Sequence, residues 1–393
     1  MGDPWLSIIG LNEDSLDGLS PASRAALDSA DIVFGGPRHL DLAKVGQRGR
    51  AWPVPFSTGP VLALRGQRVA VLASGDPFWH GAGGSLVRDM DRREWRAFPA
   101  PSTFTLAASV LGWRMEDITC HGLHAAPLAR LRGVMSPLGR MICLMRDKDA
   151  PAELADWLCT QGAGKATLTV MERLGGPHER LRDVTADAFD LTDIAAPVAV
   201  AVTLPANVGL PKASGLPDDC FAHDGQITKQ PVRALTLSAL APRKDALLWD
   251  IGAGSGSISV EWCLAGGQAI SFEQHPARIA NITRNIADFG LLHKMTAVEG
   301  IAADQIPNQP LPDVVFIGGG ARKPLLETLY GLLPSGTRLV VNGVTLETEA
   351  LLAQAHADKG GTLMRFEVAQ ATPLGPMRGW TASRPIVQWS VTL

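Results

Sequence analysis

Asp250, Gly252, Gly254, Gly256 and Glu273 are the residues of this 393-residue chain whose types and spacing speak most directly of chemistry. The glycines alternate through Asp250-Ile-Gly-Ala-Gly-Ser-Gly-Ser257, directly after the apolar run Ala246-Leu-Leu-Trp249, and Ser257 opens a stretch with helical spacing. A backbone without Cβ atoms turns sharply and admits a ligand against its amides, at the positive end of a helix. The next apolar run, Gln268-Ala-Ile-Ser-Phe-Glu273, ends in an acid 21 positions past Gly252. That is near the ~20-residue spacing at which a carboxylate takes the hydroxyls of a ribose. Strand, tight turn, helix, strand and acid together predict a site for a nucleotide-like ligand. NAD fits it less well, because Gly256 comes one residue early for the dinucleotide pattern and Ser257 fills the place of the third glycine. A turn that binds nothing is the plain alternative.

Asp250 with the Gly-x-Gly-x-Gly turn and Glu273 resembles the binding loop of S-adenosylmethionine (SAM) methyltransferases. Asp224-Gly-Gln-Ile-Thr-Lys-Gln-Pro-Val-Arg233, Glu299-Gly-Ile-Ala302 and Phe316-Ile-Gly-Gly-Gly320 extend the likeness. With them, residues 215 to 392 are similar to the decarboxylating precorrin methyltransferases that act at carbon 15 of the corrin precursor. The resemblance implies that Thr228, Asp250, Gly252, Ala253, Gly254, Ser255, Gly256, Glu273 and Ala302 form a SAM site. Apolar segments at 246–251, 268–273, 295–299, 313–317 and 337–342 alternate with helical ones, so a parallel sheet with helices on both faces is expected. Residues 362–368 and 386–392 have no helix between them and are expected to close it as an antiparallel pair, completing a seven-stranded, Rossmann-like sheet.

The first half carries a different set of turns. Trp5-Leu-Ser-Ile-Ile-Gly10 reads as a buried strand, Ser20-Pro-Ala-Ser as a capped helix start, and Ala30-Asp-Ile-Val-Phe-Gly-Gly36 as a second strand. Gln67-Arg-Val-Ala-Val-Leu-Ala-Ser74 then runs into Gly75-Asp-Pro77, which leaves an acid at the carboxyl end of a strand, where open α/β sheets bind ligands. Val33-Phe-Gly-Gly-Pro-Arg-His-Leu40, Leu72-Ala-Ser-Gly-Asp-Pro77, Pro99-Ala-Pro-Ser-Thr-Phe104 and Met171-Glu-Arg-Leu-Gly-Gly-Pro-His-Glu179 occur in the order found in the tetrapyrrole methylase family. Residues 3 to 205 resemble that family, which implies a pair of α/β subdomains and a SAM pocket shaped by Gly75, Asp76 and Pro77, with Ser102 and Thr103 at the next helix start. By itself, Asp76 reads equally as a turn-capping carboxylate. The family's usual first loop, Gly-x-Gly-Pro-Gly, is here Gly10-Leu-Asn-Glu-Asp14.

Pro205-Ala-Asn-Val-Gly-Leu-Pro-Lys-Ala-Ser-Gly-Leu-Pro217 reads as a linker and places a boundary near Ala206, giving domains 1–206 and 207–393. The pairing of these two families implies methylation of precorrin-6B at carbons 5 and 15, with loss of carbon dioxide from the ring C acetate to give precorrin-8. One SAM per domain and a homo-oligomer are expected with it. SAM brings an already activated methyl group, so alignment and exclusion of water are the main demands on the protein. No nucleophilic triad or metal cluster is evident, and no catalytic residue is assigned. Lys229, Arg233 and, less directly, Arg378 are candidate holders of the substrate's acidic arms. The alternative for the first two is a solvated helix face. His121 and His124 read as ordinary loop or surface histidines, since nothing nearby completes a metal site.

Composition limits the remaining choices. A net charge of −3 argues against a general nucleic-acid binder. Five cysteines without Cys-x-x-Cys spacing suggest neither a disulfide framework nor zinc. The first residues do not resemble a signal peptide and no apolar run is long enough to span a bilayer, so a cytoplasmic protein is expected. An RNA methyltransferase, a nicotinamide oxidoreductase and a SAM-responsive binding module are the competing readings.

Overall fold

The computed structural model describes residues 4–393, and the chain divides into two compact units. The first runs to Leu128 and resumes over Met135–Val208; the second joins Ala129–Val134 to Gly209–Leu393. The excursion at Ala129–Val134 is not announced by any local pattern. Within the second unit its Arg132 guanidinium lies 4.0 Å from the centroid of the Phe289 ring.

In the first unit, β1 (Leu6–Leu11), β2 (Ile32–Gly35), β3 (Gly49–Ala51), β4 (Val69–Ser74) and β5 (Trp95–Phe98) form a parallel sheet in the order β3-β2-β4-β1-β5. Both of its faces are covered, so its central strands β1, β2 and β4 are mostly apolar on both sides. Ile9 and Leu72 pack with Leu27 on one face, and Ile8 and Val71 with Val61 on the other. The helix Pro21–Ser29 starts as its sequence predicts, with Ser20 accepting from the Ser23 amide and Pro21 in the first turn. A second sheet holds β6 (Ile118–Gly122), β7 (Arg140–Leu144), β8 (Thr167–Glu172), β9 (Arg180–Thr185) and β10 (Val198–Thr203), in the order β6-β7-β10-β8-β9. There β6 and β7 are parallel and the other neighbours antiparallel. These are the expected two α/β subdomains.

The second unit is built on β11 (Leu247–Ile251), β12 (Gln268–Glu273), β13 (Met295–Glu299), β14 (Val314–Ile317), β15 (Arg338–Gly343), β16 (Thr362–Phe366), a ribbon of β17 (Ala369–Leu374) and β18 (Met377–Ala382), and β19 (Ile386–Thr392). Seven of these strands form one sheet in the order β13-β12-β11-β14-β15-β19-β16. Alternate residues serve opposite faces: Leu248, Val314 and Phe316 join one core, Trp249, Val315 and Ile317 the other. β19 inserts between β15 and β16, antiparallel to both. The β17–β18 ribbon is a feature the sequence did not suggest, because Pro373, Gly375 and Pro376 read as turn residues.

Arg233 departs from its expected role. On the helix Gln230–Leu240 it is fully buried, donates to Glu261 at 2.6 Å and to Asp218 at 3.1 Å, and also bonds the carbonyls of Leu216 and Thr228. Glu261 accepts in addition from the amides of Gly215 and Leu216. With every face of the guanidinium engaged, Arg233 clasps the entry segment of the unit and is not free to meet a substrate carboxylate. Arg233→Met leaves Glu261 buried without its cation and is expected to destabilise the second unit by about 3–5 kcal/mol. Urea unfolding followed by tryptophan fluorescence measures this, and an unchanged midpoint would contradict it.

Candidate functional site

The glycine turn Gly252–Gly256 links β11 to the helix Ser257–Leu264 and adopts the backbone its residues permit: Gly252, Gly254 and Gly256 have φ of 69°, 59° and 71°. A Cβ on Gly252 would stand 2.7 Å from the Gly319 carbonyl oxygen, so the turn after β14 closes directly on it. Its amides are largely spoken for. Gly252 and Ala253 donate to the Phe272 carbonyl, Gly254 to Glu273 Oε2 at 2.9 Å, and Gly256 to Ala253. The sequence suggested that these amides would face a ligand; those of Gly252, Ala253 and Gly254 instead tie the turn to the end of β12.

Glu273 is buried, and its Oε1 accepts from the Gln274 and His275 amides at 2.9 and 3.0 Å. Three of the roughly four acceptor positions of a carboxylate are thus filled, leaving Oε2 able to accept once more. A cavity of about 560 Å³ opens here, at the carboxyl ends of β11, β12, β13 and β14. The strand order reverses between β11 and β14, the place where open α/β sheets form a binding crevice. Gly252, Glu273 and Ala302 line it; Thr228, Asp250, Ala253, Gly254, Ser255 and Gly256 do not.

Asp250 lies beneath the turn, fully enclosed, its Oδ2 accepting from Ser259 at 2.7 Å while Ser271 donates to Ser259 at 2.8 Å. Its Oδ1 is buried without a partner. Burial pushes its pKa up to about 7, against the pull of the Ser259 hydrogen bonds. Asp250 supports the turn from below and does not face the cavity. Neither Lys229, which is exposed and 3.5 Å from Asp218, nor Arg378, exposed on β18, lines the cavity. Its cations are Arg278, bonded to Asp224 at 3.0 Å, and the exposed Arg322. Arg322 directly follows Gly318-Gly-Gly-Ala321, a signal present in the sequence. Asn285 gave none: buried in the helix Pro276–Asp288, it bonds Ala222 through both amide atoms and the Ser255 carbonyl at 2.9 Å.

The first unit has two adjoining cavities, of about 310 and 160 Å³, which share Ser74, Thr103, His124 and Leu144. Ser102 lines the larger and caps the helix Thr103–Leu111 by accepting from the Thr105 amide at 3.1 Å. Gly75, Asp76 and Pro77 are outside both linings. Asp76 accepts from the Phe78 amide at 2.8 Å and so takes the turn-capping role. Gly75 lets the loop approach Pro101 and Ser102, where a Cβ would come within 2.8 Å. The divergent loop after β1 enters the smaller cavity through Asn12 and Glu13, and Glu13 pairs with Arg38. His39 meets Ser74 at 2.9 Å, and burial, aided by Arg38, drives its pKa down to about 4. His80 and His124 line the larger cavity; His124 is an exposed loop residue, as its sequence context suggests, and His121 bonds Thr119 at 2.9 Å. Among the described residues no cluster of His, Cys, Asp or Glu is placed to hold a metal ion, and the five cysteines are unpaired.

Residues 6–190 match the family of tetrapyrrole (corrin/porphyrin) methylases, and residues 219–393 a precorrin methyltransferase domain. The chain is 45% identical to the precorrin-6Y C(5,15)-methyltransferase (decarboxylating) of Sinorhizobium sp, over 99% of this chain and 96% of the relative. It is 40% identical to the protein of the same name from Mycobacterium tuberculosis (strain ATCC 25618 / H37Rv), over 98% and 99% respectively. The solved C-terminal domain of precorrin-6Y C5,15-methyltransferase from Rhodobacter capsulatus is 57% identical, covering 47% of this chain and 100% of that one, with a TM-score of 0.47.

The raised pKa of Asp250 has a stability consequence of definite sign. Unfolded, the carboxyl ionises near pH 4; folded, it holds its proton until about pH 7. The folded state therefore binds more protons in this window, and the contribution of Asp250 to stability falls as pH rises through it. Relative to Asp250→Asn, the wild-type chain is expected to lose stability on the order of a few kcal/mol between about pH 4 and about pH 7, with a flat difference above. Urea midpoints of both proteins across that range measure it; a difference independent of pH would refute the assigned ionisation.

Proposed function

The chain belongs to the precorrin-6Y C5,15-methyltransferase (decarboxylating) family, and on that premise we propose that it is a bifunctional SAM-dependent methyltransferase of corrin biosynthesis that divides its work between two units. The first unit methylates carbon 5 of precorrin-6B. The second methylates carbon 15 and removes the ring C acetate carboxyl as carbon dioxide, giving precorrin-8. The observation that carries the division is that each unit has its own cavities at the carboxyl ends of parallel strands, within a stretch that matches a different methyltransferase family.

The second cavity suits a nucleoside sulfonium. Glu273 has one acceptor position left for a ribose hydroxyl, and the close approach of Gly252 and Gly319 leaves a wall without side chains beside it. SAM, when bound, supplies an electrophilic methyl group. Gly252, Glu273 and Ala302 are the contacts in this reading, while Asp250, Ala253, Gly254, Ser255, Gly256 and Thr228 hold the turn in shape around them. Arg278 and Arg322, which line the cavity, take the place of Lys229, Arg233 and Arg378 as partners for acidic arms. In the first unit Ser102 and Thr103 present a helix start to the larger cavity, which suits a second SAM.

Among the described residues no helix is long and apolar enough to cross a membrane. A cytoplasmic homo-oligomer fits this reading. The β17–β18 ribbon supports self-association: among the described residues it pairs with no other strand, and it exposes Leu374, Met377 and Trp380.

Gly254→Arg forces a side chain onto a backbone of φ 59° beside the Gln226 carbonyl. It is expected to abolish carbon-15 methylation and decarboxylation while carbon-5 methylation persists; Thr103→Trp, filling the larger first-unit cavity, should do the reverse. Mass spectrometry of the products reads both. Loss of both methylations in each folded variant would refute the division of labour.

A further inference from the structure

Replacing a ring hydrogen by a methyl cation releases one proton, and a positioned base that accepts it contributes typically about 100-fold or more to rate. The cavities of the first unit limit the choice. Glu13 is paired with Arg38. His39 has its Nε2 within 2.9 Å of both Ser74 and Arg38, and burial makes it a weak base. His80 and His124 remain, their ring centroids 6.4 Å apart.

His80 is the better placed of the two. Its φ of 58° lies in the left-handed region, where a histidine costs free energy and persists because its surroundings hold it there. A Cβ on Gly122 would come within 2.8 Å of His80 Nδ1 and 3.2 Å of the His124 ring, so the pair occupies space that only glycine leaves open. The His80 ring meets the edge of Phe104 at 5.8 Å, and Trp79, itself partly exposed, packs on the same Phe104 at 4.9 Å. The result is an imidazole packed on the buried Phe104 next to the exposed Trp79, whose indole is a suitable neighbour for a flat conjugated ring. His80 keeps access to solvent, and partial burial and then the neighbouring His124 lower its pKa below the ordinary imidazole value.

We propose that His80 is a catalytic residue of the carbon-5 methylation, the base that takes the proton displaced from the ring. The inference rests on the assignment of that methylation to the first unit. Ring π electrons form the new carbon–carbon bond as the C–S pair of the donor stays on sulfur. The C–H pair then returns to the ring, and the proton passes to the His80 imidazole and on to water.

His80→Gly suits the backbone, because glycine adopts this φ freely, and so removes the imidazole without a steric cost to folding. In the full chain this variant is expected to lose about 100-fold in carbon-5 methylation. Added imidazole should restore much of the loss, and the dissociation constants of SAM by calorimetry and of the precorrin by its absorbance should stay close to wild type. Carbon-5 methylation close to the wild-type rate, or a loss that follows weakened binding and ignores imidazole, would overturn the role. Thr103→Trp separates this from failure of the underlying assignment: carbon-5 methylation surviving that substitution in folded protein removes the first unit from the reaction, whatever His80 does.

Discussion

Glu273 is where the second unit turns sequence into a site. Its carboxylate, buried at the end of β12, accepts from one amide of the glycine turn and two of its own following turn. Charge-assisted bonds of this kind are roughly twice as strong as neutral ones, and here they join two neighbouring strand ends. The alternating glycines follow from this constraint: only residues free to adopt positive φ can bring the Gly254 amide down to Glu273 while Gly252 touches Gly319. Ser259 and Ser271, buried on the same face of the sheet as Asp250, complete a polar floor that apolar side chains could not supply.

The first unit meets the same demand by another route. Instead of a carboxylate tying amides together, it relies on backbone packing: a Cβ on Gly10 would overlap the Gly75 carbonyl, and one on Gly75 would press on Pro101 and Ser102. The loops after β1 and β4 and the start of the helix Thr103–Leu111 are therefore held together by the absence of side chains. Thr103, at that helix start, reaches both adjoining cavities as a result.

What the sequence made legible were features with a local cause. The apolar runs of the strands, the Ser20-Pro21 cap and the glycine turns appear where expected, because each depends on neighbouring residues. Residues whose roles depend on distant partners were misread or missed. Arg233 looked like a free cation because Glu261, 28 positions away, and the carbonyls that surround it cannot be foreseen from spacing. Asp76 reads two ways in the sequence, and its hydrogen bond from the Phe78 amide is a turn cap that the local Asp-Pro-Phe order allows. Asn285 clamps Ala222 across 63 positions, and His80 gains its meaning from Gly122 and Phe104. Periodicity carries no information about such pairs.

The charge balance of the second cavity follows from the same long-range placement. Under the proposed function the second cavity takes a cationic sulfonium donor and a polyanionic precorrin, which calls for carboxylate and guanidinium in one enclosure without their cancelling each other. Glu273 is occupied by backbone amides and Arg278 by Asp224, while Arg322 stands at the start of the helix Lys323–Leu332 on the other side of the strand-order reversal. A second charge beside Glu273 would upset this balance; burial, and in smaller part the proximity of Glu273, push the Asp250 pKa up to about 7. The buried position that makes Asp250 a poor ligand is thus what suits it to support a turn lying between opposite charges.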